Sequence, residues 1–224
     1  MKFEKIKELI RIPTEMEIIM VIIIFALYIP GGAVKRYYRI KGQNLPTTKC
    51  PLESKLQRLI SYWLLLIIGI IYVCLAPLFL IFDVYHLLLD WSTLTFLIVS
   101  SNLLLTFQLV GTCLFVIGNV IYIAGRLVIK EYFSELWKPA KVGEGFAHTG
   151  IYTRLRHPLY FAGFVMYTGL ILMFQTWLGL LLFILPMIIM IKAAFNEEKW
   201  MIEQYGEDYK KYMKKTWRFF PKLW

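Results

Sequence analysis

Long apolar runs constrain this chain more than any other feature. Stretches at 17–34, 59–82, 103–129, 158–174 and 177–194 approach or exceed the roughly 20 residues that cross bilayer hydrocarbon. Lipid offers no partners to backbone N–H and C=O groups, so such runs span as helices or as closed barrels. No strand-length alternation supports a barrel. The expected fold is all-α: a polytopic transmembrane helical bundle of about five spans, followed by an amphipathic cytoplasmic C-terminal helix. Residues 30–32 (Pro-Gly-Gly) should loosen the end of the first span, and Pro77 should kink or end the second. Gln175 and Thr176 form a tight turn between the last two. The segment 83–101 is interrupted by Asp83, His86 and Asp90 and reads as an external stretch at the interface.

Charge placement orients this layout. Residues 35–58 hold seven Lys/Arg and one Glu, residues 126–157 six basic residues and three acids, and the tail from 192 eight basic residues and five acids. Residues 1–17 carry four of each sign, and 83–101 carry two Asp and no Lys or Arg. An N-terminus outside and a C-terminus in the cytoplasm satisfies the positive-inside rule at every loop. Phe3, Ile6 and Ile10 follow helical spacing, which describes a short amphipathic helix lying in the interface. The chain divides into residues 1–100, this helix plus two spans, and residues 101–224, three spans plus a cytoplasmic segment.

A net charge of +10 would point a soluble protein toward nucleic acid. Here 58% of residues are hydrophobic and mean hydropathy is +0.60. The cations sit in loops beside spans, so the expected partner is the lipid bilayer and not nucleic acid. Cys50, Cys74 and Cys113 have no metal-ligand spacing, so no metal is expected. Gly111, Gly118 and Gly125 recur every seven residues in the third span, where they let another helix approach closely.

Polar chemistry concentrates at the cytoplasmic ends of the last three spans. The first segment, HTGIYTRLRHPLYFAG, places Pro158 in the first turn of a helix. Free amides after it favour an anion, and His157, before a proline, is biased to extended backbone. His157 and Tyr160 read either as interfacial residues or as the wall of a pocket, and Arg154 and Arg156 as anchors or as anion-binding groups. The second segment contains Glu197 and Glu198, about 100° apart on a helix. They sit near the negative end of the span's dipole, a placement that calls for a compensating partner or a functional purpose, unless the pair is simply solvated at the start of a cytoplasmic helix. The third carries Tyr205, Tyr209 and Tyr212 among lysines, then Arg218 between aromatic residues.

Taken in order, Gly150-x-Tyr152, Arg156-His157-Pro158-x-Tyr160, Glu197-Glu198, Tyr205-Gly206-x-x-Tyr209-x-x-Tyr212 and Arg218-x-x-Pro221 resemble the isoprenylcysteine carboxyl methyltransferase and phospholipid methyltransferase group of integral membrane enzymes. The resemblance runs from about residue 111 to 221. It implies methyl transfer from S-adenosyl-L-methionine to a lipophilic small-molecule or lipidated acceptor at the membrane–cytoplasm boundary. By the same resemblance, Tyr152, Arg156, His157, Tyr160, Glu197 and Glu198 bind the cofactor, and Glu198 and Arg218 serve catalysis. One position departs from the pattern. The isoprenylcysteine enzymes are expected to carry an arginine one turn before the Glu pair, where this chain has Ala193, with Lys192 beside it. A prenylcysteine carboxylate is therefore disfavoured as acceptor. NADPH-dependent membrane sterol reductases share a similar C-terminal half but tend to an Arg-Asp pair in place of Glu197-Glu198. A non-catalytic lipid-binding protein of the same fold is the third reading.

Overall fold

The computed structural model describes residues 15–47, 49–52, 54–70, 101–135, 138, 141, 145–174 and 177–220. Five α-helices hold most of them: α1 Glu15–Lys41, α2 Lys55–Gly69, α3 Ser101–Ile129, α4 Pro158–Phe174 and α5 Trp177–Lys215. Short 3-10 turns at Lys130–Tyr132 and Gly150–Thr153 punctuate the connection between α3 and α4. Among the described residues there is no β-strand, only two isolated bridges, Thr47 with Lys141 and Leu155 with Trp217. Two described helical stretches are long and apolar enough to cross hydrocarbon, Ile18–Lys41 and Leu105–Tyr132, and Pro158–Met173 is a shorter apolar one. The N-terminal amphipathic segment, Cys74, Pro77, residues 83–100, the turn at Gln175 and Thr176, and Pro221 lie outside the described residues.

Two boundaries differ from the sequence reading. Helix α1 does not loosen at residues 30–32 but continues through Pro30 to Lys41. A proline removes one backbone bond, and breaking the helix would strand more groups where lipid supplies no partners. Helix α5 does not end near residue 194, where the last apolar run stops, but continues to a kink at Gly206, whose φ of 54° and ψ of −129° are non-helical, and a second helical stretch follows the kink to Lys215.

Helices α3 and α4 pack closely along the glycine seam. A Cβ on Gly111 would lie 2.7 Å from the Gly169 carbonyl, and one on Gly118 would lie 2.9 Å from the Met166 amide. Missing side chains thus let the two backbones nearly touch, where dispersion and not water exclusion provides the attraction. Met20 and Ile24 of α1 join Phe115 of α3 and Leu170 and Met173 of α4 in the core, with Leu64 of α2 against them. On its other side α4 meets α5 at Gly163, where a Cβ would lie 2.8 Å from the Met190 methyl group.

Candidate active site

The site begins with the two residues before Pro158. Proline biases His157 to extended backbone, and extended backbone needs partners outside its own turn. The C-terminal segment supplies them. The Arg156 amide donates to the Trp217 carbonyl at 2.7 Å, His157 to Arg218 at 3.1 Å, and Trp217 to Arg154 at 2.9 Å. Residues 154–157 and 217–218 are thus zipped in parallel. Below them, the amides of Tyr160 and Phe161 both donate to the His157 carbonyl, at 3.1 and 3.0 Å. These amides, expected to be free for an anion, are taken up by the chain itself.

Glu198 is the hub beneath this zip. It is 3% exposed, and its Oε1 accepts from Arg156 Nε at 2.7 Å and lies 3.3 Å from His157 Nε2. Its Oε2 accepts from Arg218 Nε at 2.9 Å and Nη2 at 2.6 Å. Burial alone would raise the carboxyl's pKa, but His157, Arg218 and Arg156 hold it far below the usual carboxylate range. Arg156 also donates through Nη1 to the carbonyls of Met213 at 3.0 Å and of Thr216, the last turn of α5 and the residue after it. A cation there answers the negative end of the helix dipole. Arg218 stacks 3.8 Å over the Phe195 ring.

Glu197 points elsewhere. Its side chain is 29% exposed; Oε1 accepts from the Tyr160 hydroxyl at 2.6 Å, and Oε2 lies 3.4 Å from His157 Nδ1. His157 therefore stands between two carboxylates, and only its imidazolium donates to both. Burial would lower its pKa, yet the hydrogen bonds of Glu197 and Glu198 raise it overall. The imidazole stacks on Tyr160 at 5.3 Å and 2° between planes. Tyr152 is buried, and its carbonyl accepts from the Tyr212 hydroxyl at 2.7 Å. Burial, and next the Glu197 charge, push the Tyr152 phenol pKa up.

These groups open onto a cavity of about 780 Å³. Of the residues assigned to a site from sequence, Tyr152, Arg156, His157, Tyr160 and Glu197 line it, whereas Glu198 and Arg218 lie behind the wall. Leu66, Ile70, Phe115 and Leu170 carry the cavity into the apolar bundle. Ala193 is wholly buried and Lys192 exposed, so neither stands in for the arginine noted above. Arg154 is exposed, and only its backbone serves the zip. The parts played by Phe195, Met213 and Thr216 carry no motif. The one sequence signal for Thr216 is that it follows the lysine-rich last turn of α5.

The polar wall resembles a place for a small zwitterionic cation. Glu197 offers a carboxylate to hydroxyl or ammonium groups, and the faces of Tyr160, Tyr209 and Tyr212 offer π-density to a positive centre. Residues 106–208 match a family model described as phospholipid methyltransferase. No curated protein matches the chain.

Proposed function

Because residues 106–208 belong to the phospholipid methyltransferase family of integral membrane methyltransferases, we propose that the chain transfers a methyl group from S-adenosyl-L-methionine to a lipophilic acceptor at the membrane–cytoplasm boundary. One observation carries the reading: a single cavity joins the polar wall of His157, Tyr160 and Glu197 to an apolar arm through Leu66, Ile70 and Leu170. A polar cofactor and an apolar acceptor need such a two-ended site, with the reacting atoms held at the junction.

When bound, the cofactor would supply an electrophilic methyl group on its sulfonium. Tyr152, Arg156, His157, Tyr160 and Glu197 would hold it. The Tyr160 ring would face the positive sulfur, and Glu197 would accept hydrogen bonds from the ribose hydroxyls or the ammonium. An N–H or S–H acceptor would pass its proton to a Glu197 oxygen, with His157 beside it as relay. Glu198 and Arg218 serve catalysis from behind, by fixing Arg156, His157 and the C-terminal segment that roofs the site. Closure of this roof excludes water from a step in which charge is neutralised.

The reading includes five spans, residues 1–100 as an interfacial helix and the first two spans, residues 101–224 as the methyltransferase-like core, and a cytoplasmic C-terminus. Incubation of the purified chain with labelled S-adenosyl-L-methionine and a lipid extract tests it, and a labelled lipid is expected. Tight NADPH binding with no affinity for S-adenosylhomocysteine would instead make it a reductase.

A further inference from the structure

The cavity has a second polar end that the site above does not use. Lys35 of α1 lines it, with Glu135 and Lys141 from the connection between α3 and α4. The Glu135 carboxylate is already shared, with Lys35 at 3.5 Å and Lys138 at 3.3 Å. Lys141 Nζ donates to a neutral partner, the Glu131 carbonyl, at 3.0 Å. Burial lowers its pKa, which Glu135 only partly offsets while Arg126 and Lys138 add to the lowering.

Arg126 stands behind them at 1% exposure, its guanidinium 4.0 Å from the Phe133 ring centroid. One of its N–H groups reaches the Lys130 carbonyl at 3.3 Å, but its Nε is buried with no hydrogen-bond partner. Among the described residues the carboxylates on hand are Glu135 and Glu131, and Glu131 Oε2 is itself buried without a partner. Among the described residues Lys35, Arg126, Lys138 and Lys141 thus outnumber two acids in a half-buried setting. An uncompensated cation there loses hydration without regaining it. Two lysines that line a cavity, with a buried arginine behind them, present positive charge that an oxyanion would balance.

We propose that Lys35 and Lys141, with the Arg126 charge behind them, form an anion-binding subsite at this end of the cavity, the two lysines taking the carboxylate or phosphate oxygens of a molecule bound there. The inference rests on the methyl-transfer reading only in naming two sources, the α-carboxylate of the methyl donor and a phosphate on the acceptor.

Binding to the full chain in neutral detergent tests it with two matched pairs of probes. S-adenosylhomocysteine is compared with 5′-methylthioadenosine, which lacks the amino-acid carboxylate. Dihexanoyl phosphatidic acid is compared with dihexanoylglycerol, which lacks the phosphate. In K35M/K141M, one anionic probe is expected to weaken about tenfold or more, the scale of a lost hydrogen bond to a charged group, while its uncharged counterpart binds as before. The pair that responds identifies the source, and K35R/K141R is expected to bind like the unaltered chain. Wild-type affinity of K35M/K141M for both anionic probes overturns the proposal, and so does equal weakening of charged and uncharged probes. An unaltered chain with no affinity for S-adenosylhomocysteine defeats the methyl-transfer reading alone, and the lipid pair then decides the subsite.

Discussion

Glu198 keeps 3% of its side chain exposed and meets three cationic groups, whereas its neighbour Glu197 keeps 29% and turns to the cavity. Substitution should separate the two. Glu198→Ala leaves Arg156 buried without its counter-charge and His157 with Glu197 alone, and is expected to cost about 3–5 kcal/mol, the scale of breaking one partner of a buried pair. Glu197→Gln keeps most of the hydrogen bonding and is expected to leave the melting temperature near that of the unaltered chain while methyl transfer falls at least about tenfold. Thermal melts and turnover on the same preparations check both. Equal melting temperatures for the two variants would sink the division of labour. The histidine between them adds a pH dependence. Its folded pKa is raised above the ordinary 6.5, so its contribution is complete below 6.5 and is lost as pH rises through the folded value. Glu198, held far below the ordinary 4.5, contributes above 4.5 and loses that contribution as pH falls through its folded value. Stability from this cluster is therefore expected to be greatest between the two ordinary values and to decline on the alkaline side. In His157→Gln that alkaline decline should vanish, which melts across a pH series would show.

At the scale of elements, the break in α5 decides whether the site has a roof. Gly206 adopts φ 54° and ψ −129°, a conformation that L side chains rarely take, and a Cβ there would meet nothing within 4 Å. Gly206→Ala therefore introduces backbone strain without a clash, on the order of 1–3 kcal/mol. Relief of that strain by straightening would carry the end of α5 away, taking Tyr212 from Tyr152 and residues 217–218 from residues 154–157. The expected result is faster proteolysis of the segment 207–220 and weaker binding of S-adenosylhomocysteine, with α3 and α4 undisturbed. Unchanged protection of that segment would show that the kink is incidental to docking. The polar motifs around this break were legible in the sequence, as was the glycine seam, because both are spacings within one helix. The zip and the hub were not. Arg156 and Thr216 are 60 residues apart, and only the turn at Gly206 brings them together. Local periodicity does not encode such a meeting. Nor did the sequence reveal which of Glu197 and Glu198 faces the cavity, since a 100° separation allows either until the helix is rotated against its neighbours.

For the whole molecule, two of the apolar runs read from sequence are helices able to cross hydrocarbon, and the site cluster gathers at one end of α4. That gathering bears on orientation. Residues 35–58, 126–157 and the tail after 192 all carry an excess of Lys and Arg, and Arg156, Arg218 and Lys141 of the site region come from the last two of these segments. Translocating any of them would carry several cations across the bilayer, whereas residues 1–17 are balanced at four of each sign. The site should therefore face the cytoplasm, where S-adenosyl-L-methionine is made, with the N-terminus on the opposite side. Single-cysteine labelling in intact cells tests this after Cys50, Cys74 and Cys113 are replaced by serine. A membrane-impermeant maleimide is expected to label Lys5→Cys in intact cells and Lys211→Cys only after lysis. Labelling of Lys211→Cys in intact cells would invert the topology and separate the site from its cofactor. Protection of both positions until lysis would instead give an even number of spans, contrary to the five read from the sequence.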